Sequence, residues 1–319
     1  MSRRDFCTAL LSLGLAVGAC NRSTKRRIGV VPKAVAHVFW QSVRAGAAAA
    51  AREADIEIEW RGPPQETDFS RQIEIVDSMI NARLDGIVLA PTEATSLVSV
   101  VERAASLDIP LTIFDSGINT DRYVSYVSTN NYDAGVMAAQ KLGEILNGSG
   151  TIAMVKMVPG SSSTMERERG FEETLAAEFP GISKVAEQYC MSDRARALAV
   201  SENMLTAHPG LSALFASAEP ATVGAAQALK ARSLAGKVRL VGFDSSDTIE
   251  EDLKAGVIDA LVVQDPFNIG YTAVQTIVAR LNGETPPKRI DSPAYVVTAA
   301  DLADPAIDRV LHPDLPDLE

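Results

Sequence analysis

The sequence predicts an α/β protein built as two lobes with parallel sheets. Short β-branched runs alternate with helix-length amphipathic stretches from residue 27 onward, and the strand-like runs recur about every 25 to 30 residues. The alternation then restarts near Tyr123 with a second set of similar size, which fits two lobes better than one very wide sheet.

In the first set, RIGVVP (Arg27–Pro32), IEIEWR (Ile56–Arg61), GIVLAP (Gly86–Pro91) and LTIFD (Leu111–Asp115) read as strands. Between them, Phe39–Ala54, Phe69–Ala82 and Thr95–Leu107 are long enough for three or four helical turns, with apolar residues at i, i+3, i+4 spacing. Strand and helix in strict alternation imply right-handed crossovers with helices on both sheet faces. In the second set, strands are expected at Tyr123–Ser128, Thr151–Met157, Lys184–Tyr189, Ala213–Ala216, Val238–Asp244 and the DALVV run before Gln264. Helices are expected at Tyr132–Leu146, Thr164–Glu178, Arg194–Ala207, Ala221–Ala231 and Asn268–Leu281, and Asn147–Gly150 reads as a turn. No Gly/Ser-rich linker separates the sets, so the lobes are expected to be closely hinged.

The chain opens MSRRDFCTALLSLGLAVGAC. Its apolar run, Phe6 to Ala19, is shorter than the roughly 20 residues of a spanning helix. Basic residues, a brief apolar stretch and small residues before a cut site are the marks of an export signal, and Ser2-Arg3-Arg4-Asp5-Phe6 adds the twin-arginine pattern. Val17-Gly18-Ala19-Cys20 resembles a lipobox, which would make residues 1–19 a signal peptide and Cys20 a lipidated N-terminus. Residues 20–27 then read as a polar tether.

The full chain carries a formal charge of −11; residues 1–19 hold +1, leaving −12 for the mature part. An acidic chain argues against nucleic acid or anionic lipid as partner. Of three cysteines only Cys190 would remain as a mature thiol, so no intrachain disulfide is expected. The sequence holds no G-x-G-x-x-G, Walker A, G-x-S-x-G or H-E-x-x-H motif, and with only His37, His208 and His312 a Cys/His metal cluster is not expected. Neither metal nor cofactor is expected, and the function is read as non-enzymatic. Asp115, Glu219 and Asp244 could in principle supply a glycosidase carboxylate pair, the one enzymatic alternative.

Several strands end in a polar residue: Asp115, Asp244 and Gln264. Ligands of open α/β sheets collect outside the carboxyl ends of strands, so these side chains could line one cleft. Equally, Asp115-Ser-Gly and Asp244-Ser-Ser are good N-cap sequences. Phe39 and Trp40, just past the first strand, could sandwich the C–H face of a sugar or serve as core aromatics. Arg167 could donate a fork to hydroxyls or pair with Glu166 or Glu168 on a helix surface.

His37-Val-Phe39-Trp40, Thr164-Met-Glu-Arg167-Glu-Arg-Gly170-Phe171, Gly242-Phe-Asp244-Ser and Val263-Gln264-Asp-Pro-Phe occur in an order that resembles the periplasmic sugar-binding proteins of the ribose-binding type. These are the type I solute receptors of ABC importers, and the resemblance covers residues 28 to 299. It implies two Rossmann-like lobes with parallel sheets joined by a three-crossover hinge. Lobe one would hold 28–128 and 265–291, and lobe two 129–264 and 292–319, with crossings near Thr129, Gln264 and Ser292. It also implies that Phe39, Trp40, Asp115, Arg167, Asp244 and Gln264 contact the ligand, whereas Arg169 faces elsewhere. Three departures from the family pattern mark His37, Ser116 and Glu219 as residues that set which ligand is bound.

The implied function is capture of a sugar or polyol by a monomeric, exported, lipid-anchored receptor, in a periplasm or on the outer face of the cytoplasmic membrane. The ligand would bridge the lobes, and the closed shape would be read by an ABC permease. A chemoreceptor or sensor kinase could read the same closed shape. A transcription-factor effector domain of this fold would carry an N-terminal helix-turn-helix and no export signal.

Overall fold

The structure is a computed structural model that describes residues 25–313. The expected signal peptide, Cys20 and the start of the expected tether fall outside the described residues, as does the end of the chain from 314.

The chain runs β1 (Arg27–Val31), α1 (Val38–Glu53), β2 (Glu57–Trp60), α2 (Phe69–Asn81), β3 (Gly86–Leu89), α3 (Val98–Ser106), β4 (Leu111–Phe114) and β5 (Tyr126–Thr129). It continues through α4 (Asn131–Ile145), β6 (Ser149–Lys156), α5 (Ser162–Glu178), β7 (Gly181–Tyr189), α6 (Arg194–Ala207), β8 (Ala213–Ala216), α7 (Glu219–Ala231), β9 (Arg239–Phe243), α8 (Asp247–Lys254) and β10 (Ala260–Gln264). The end is α9 (Pro266–Leu281), β11 (Arg289–Ser292), β12 (Ala294–Val297), a short 3-10 turn and α10 (Pro305–Leu311). Among the described residues no helix is long and apolar enough to cross a membrane.

Two six-stranded sheets result, ordered β11-β5-β4-β3-β1-β2 and β12-β10-β9-β8-β6-β7. Their central strands are buried on both faces, which is why they read as unbroken apolar runs. Apolar clusters cover both faces of each sheet: α1 and α9 pack on one face of the first, and α2 and α3 on the other. The second has α4 and α5 on one face and α6, α7 and α8 on the other.

The sheets are not wholly parallel as expected. β12 runs antiparallel to β10, with Ala294 opposite Gln264. The reason is geometric: β11 ends at Ser292 beside Thr129 of β5, and Pro293 alone links it to β12. The chain therefore enters the second sheet at the carboxyl end of β10 and must run back along it. It passes between the sheets after Thr129, after Gln264 and after Ser292. The third helix starts at Val98, later than the spacing suggests, because the Glu93 carboxylate holds the N–H groups of Thr95 and Ser96 in a turn.

Each half contains a helix pair that crosses at two mutually facing glycines. A Cβ built on Gly170 of α5 would collide with the Tyr132 carbonyl of α4, and one on Gly135 of α4 with the Arg167 carbonyl of α5. Gly46 and Gly270 stand in the same mutual relation between α1 and α9. The first pair fixes where α5, and with it Arg167, sits.

Candidate functional site

A narrow cavity lies between the two sheets, at the carboxyl ends of their strands. Lys33 follows β1, Asp115 β4, Met157 β6, Ala218 and Glu219 β8 and Asp244 β9, while Gln264 ends β10. Phe39, Asp244 and Gln264 also border a neighbouring small pocket lined by Ser246, Glu250 and His312.

Asp115 and Asp244 occupy equivalent places and share a backbone conformation, with φ of 58° and 65°. This left-handed geometry is tolerated by Asp and is a form of local strain that recurs at ligand sites. Neither aspartate caps the helix that follows it. Asp115 Oδ2 meets the Lys33 ammonium at 2.7 Å, as an ion pair off the hydrogen-bond axis. Asp244 Oδ1 accepts from Gln264 Nε2 at 2.7 Å, and Oδ2 accepts from the backbone N–H of Glu219 at 3.0 Å. Helix α8 starts at Ser246 without a side-chain cap.

Arg167 is 2% exposed, so the surface-pair alternative does not describe it. Its Nε donates to Asn131 Oδ1 at 2.8 Å and Nη1 to the Ser217 carbonyl at 3.1 Å, with Asp244 at 4.0 Å. The guanidinium lies over the Phe243 ring, 4.6 Å from its centroid, and Phe243 abuts the Phe215–Phe171 stack. Arg169 points out to Glu166 and Glu173 across the Tyr132 ring.

Glu219 is buried against the cavity, and burial pushes its carboxyl above the usual carboxylate range although Arg194 pairs with it. His37 reaches across from the first half, with Nδ1 3.9 Å from Glu219 and Nε2 3.3 Å from Ser192 Oγ. Phe39 and Trp40 do not form two facing platforms. Their rings meet edge to face at 4.9 Å and 87°, and Trp40, 3% exposed, also contacts Phe114 edge-on. Trp40 thus serves both readings, as a core aromatic and as part of the cavity wall.

Ser116 is the one expected site residue that does not line the cavity. It is fully buried, and its Oγ accepts from the N–H of Ser163 at 3.0 Å. Lys33, Glu66, Ser163 and Thr164 line the cavity without having been singled out by the sequence, and Glu66 accepts from Trp40 Nε1 at 3.0 Å. Cys190 is buried beside Met157, and burial pushes its thiol up to about 11.

The cations at this cavity are matched within the protein: Lys33 faces Asp115, Arg167 faces Asp244 and Arg194 faces Glu219, while the Glu66 carboxylate is held by the Trp40 N–H. Both lone pairs of Gln264 Oε1 and the Oδ1 of Asp115 are left as acceptors, and the outer edge of Arg167 as a donor. Such a site offers directed hydrogen bonds to an uncharged, donor-rich molecule.

The comparisons agree with this geometry. Residues 28–285 match the family described as "Periplasmic binding protein domain". The chain is 30% identical to the D-ribose/D-allose-binding protein of Pseudomonas aeruginosa, over 93% of this chain and 98% of that one. A carbohydrate transporter solute-binding protein from Agrobacterium radiobacter, solved with D-arabinose, superposes with a TM-score of 0.88 at 31% identity, covering 91% of this chain and 99% of its own. An ABC transporter solute-binding protein from Agrobacterium vitis with bound D-fucose gives 0.87 at 32% identity, covering 90% and 100%. Two strand-end aspartates facing each other across a polar cavity, in a chain matched along nearly its whole length, make this protein a member of the periplasmic binding protein family.

Proposed function

We propose that this protein is an exported receptor that captures a neutral monosaccharide or polyol between two lobes and delivers it to an ABC importer. The observation that carries the reading is the internal matching of charge: each cation at the cavity already faces a carboxylate, so an anionic solute would find no free counter-charge. Sugar hydroxyls would bond to Asp115, Asp244, Gln264 and Arg167, with Phe39 against a C–H face and His37 and Glu219 tuning the choice of ligand. The sugars named for the relatives support the same class.

The lobes of this reading are 28–128 with 265–291, and 129–264 with 292 onward, hinged where the chain passes between the sheets. A ligand that contacts both lobes favours the closed form by its differential affinity, and the permease reads that form. The N-terminal signal supports export, with Cys20 as the lipid anchor. No bond is made or broken in this cycle.

The test is thermal unfolding of residues 21–319 with D-ribose, D-allose, D-arabinose, D-fucose, polyols, a sugar acid and amino acids. A ligand that binds only the native state at a thousandfold excess over Kd adds about 4.1 kcal/mol, which shifts Tm by several degrees. A shift with one neutral sugar or polyol is the expected result. A shift confined to the sugar acid or the amino acids overturns the substrate class. Mass spectrometry of the membrane-bound protein and of its Cys20→Ser variant tests the anchor: acylation lost in the variant supports it, and acylation retained refutes it.

A further inference from the structure

We propose that Lys33 is a latch that ties the Asp115 side of the cavity to the start of α5 when the two halves close, with Ser116 as its second bolt; this rests on the binding reading above. Lys33 belongs to the first half, yet it is 3% exposed because the second half covers it. One ammonium serves both: it pairs with Asp115 Oδ2 at 2.7 Å and donates to Ser161 Oγ at 3.2 Å and Ser163 Oγ at 2.9 Å. Both serines sit at the start of α5. Beside them, the N–H of Ser163 donates to Ser116 Oγ at 3.0 Å, so the first turn of α5 is tied to the first half at adjacent points.

Two of the three N–H donors of the ammonium go to the serines, and the Asp115 carboxylate sits against it as an ion pair. Lys33 is therefore engaged mainly by the protein in the closed geometry. Its pairing leaves Asp115 with Oδ1 as its cavity-facing oxygen. When the halves part, Lys33 loses both serines and Asp115 keeps its counter-ion. The serine bonds belong to the closed form alone, and they act on how long a ligand stays without altering which hydroxyls are read.

Two variants separate this role from simple packing. Ser161→Ala deletes one latch partner that does not line the cavity and leaves Ser163, Asp115 and the cavity-facing oxygens in place. Lys33→Met keeps the length of the side chain and removes its charge. Trp40, one of only two tryptophans, lines the cavity and reports binding by stopped-flow fluorescence. With D-ribose, D-allose, D-arabinose and D-fucose as probes, Ser161→Ala is expected to raise the dissociation rate about ten- to a hundredfold, the loss of one hydrogen bond to a charged group. The association rate and the order of preference among the four sugars should stay as in the wild type. Lys33→Met should raise the dissociation rate more and also change that order, because Asp115 loses its counter-ion.

A Ser161→Ala protein with wild-type dissociation, or with an altered order of sugars, overturns the latch. A wild type that binds none of the sugars overturns the sugar reading instead, and the latch is then decided by small-angle scattering. More compact wild-type particles than Lys33→Met particles support it, and equal radii of gyration refute it. Should Lys33→Met fail to fold, Ser161→Ala decides alone.

Discussion

The two halves present an aspartate at the same topological point, after β4 and after β9, with nearly the same strained backbone, but they hold it differently. Asp244 is wired entirely within its own half, by Gln264 Nε2, the Glu219 N–H and Arg167. Asp115 rests on a single lysine that is itself shared with the opposite half. A group fixed by its own lobe is preorganised before a ligand arrives, whereas one fixed across the cleft acquires its full environment only on closure. The second half is thus the rigid reader and the first half the part whose chemistry depends on closing.

Substitution of the two aspartates should break that symmetry by the largest margin. Asp244→Ala strands Gln264, the Glu219 N–H and the Arg167 charge, and is expected to weaken sugar binding by about 1.5–3 kcal/mol and also to destabilise the ligand-free protein. Asp115→Ala is expected to weaken binding within the same range, yet to leave ligand-free stability nearly unchanged, because an open cleft hydrates Lys33. Calorimetric titration and urea unfolding of both variants would show it; equal stability losses would remove the distinction.

The glycine crossings give the next largest effect. Gly170→Ala and Gly270→Ala each force a methyl group into a facing carbonyl, at a cost of about 1–3 kcal/mol each. Only Gly170→Ala should also lower sugar affinity, since α5 carries Arg167. Similar affinity losses in the two would show that the reader is no more localised in one helix pair than in the other.

The pH dependence of stability is smaller. Burial holds the Glu168 carboxyl above its ordinary 4.5, against the pull of Lys156, Ser217 and the Met157 N–H. The folded protein therefore binds this proton more tightly than the unfolded chain. Its contribution is complete below about pH 4.5 and is lost as pH rises through the folded-state value, and Glu219 acts in the same sense. Urea unfolding between pH 4.5 and 7 should show a shallower decline for Glu168→Gln than for wild type; parallel curves would rule this out.

Smallest of all is Arg169→Ala, two residues from Arg167 and exposed in its pairs with Glu166 and Glu173. No measurable change in affinity is expected by titration. A loss comparable to that of Arg167→Ala would mean that α5 presents its other face to the cleft.

The alternation of strands and helices was legible because strands buried on both faces must be apolar throughout, and because the helices between them have one apolar stripe. Helix α8 and the strands β11 and β12 were not. β11 reads RIDS on an edge, half solvated, and α8 is a short DTIEEDLK segment whose charges hide its few buried positions. At the site, strand-end aspartates stand out after apolar runs, and the cavity gathers them together with His37, Phe39, Trp40, Arg167, Glu219 and Gln264. Lys33 did not stand out, since Pro-Lys-Ala after a strand reads as an ordinary loop. Asn131 passed for a residue at a helix start, although its carbonyl oxygen orients Arg167. Ser116 was expected at the ligand because of its neighbour, but successive residues diverge, and it turns to α5 instead.

The path of the chain between the sheets also constrains how the molecule comes into being. The first sheet begins with β1, but α9, which packs against α1, and β11, which completes the edge beside β5, are made only after the whole of the second sheet up to β10. A nascent chain therefore carries Ile28, Val30 and Val43 without their cover through most of its synthesis. Neither half can finish first: the N-terminal one waits for α9 and β11, and the other waits for β12. Maturation is set by the last fifty residues, and a truncation there should leave an aggregation-prone chain in place of one folded lobe.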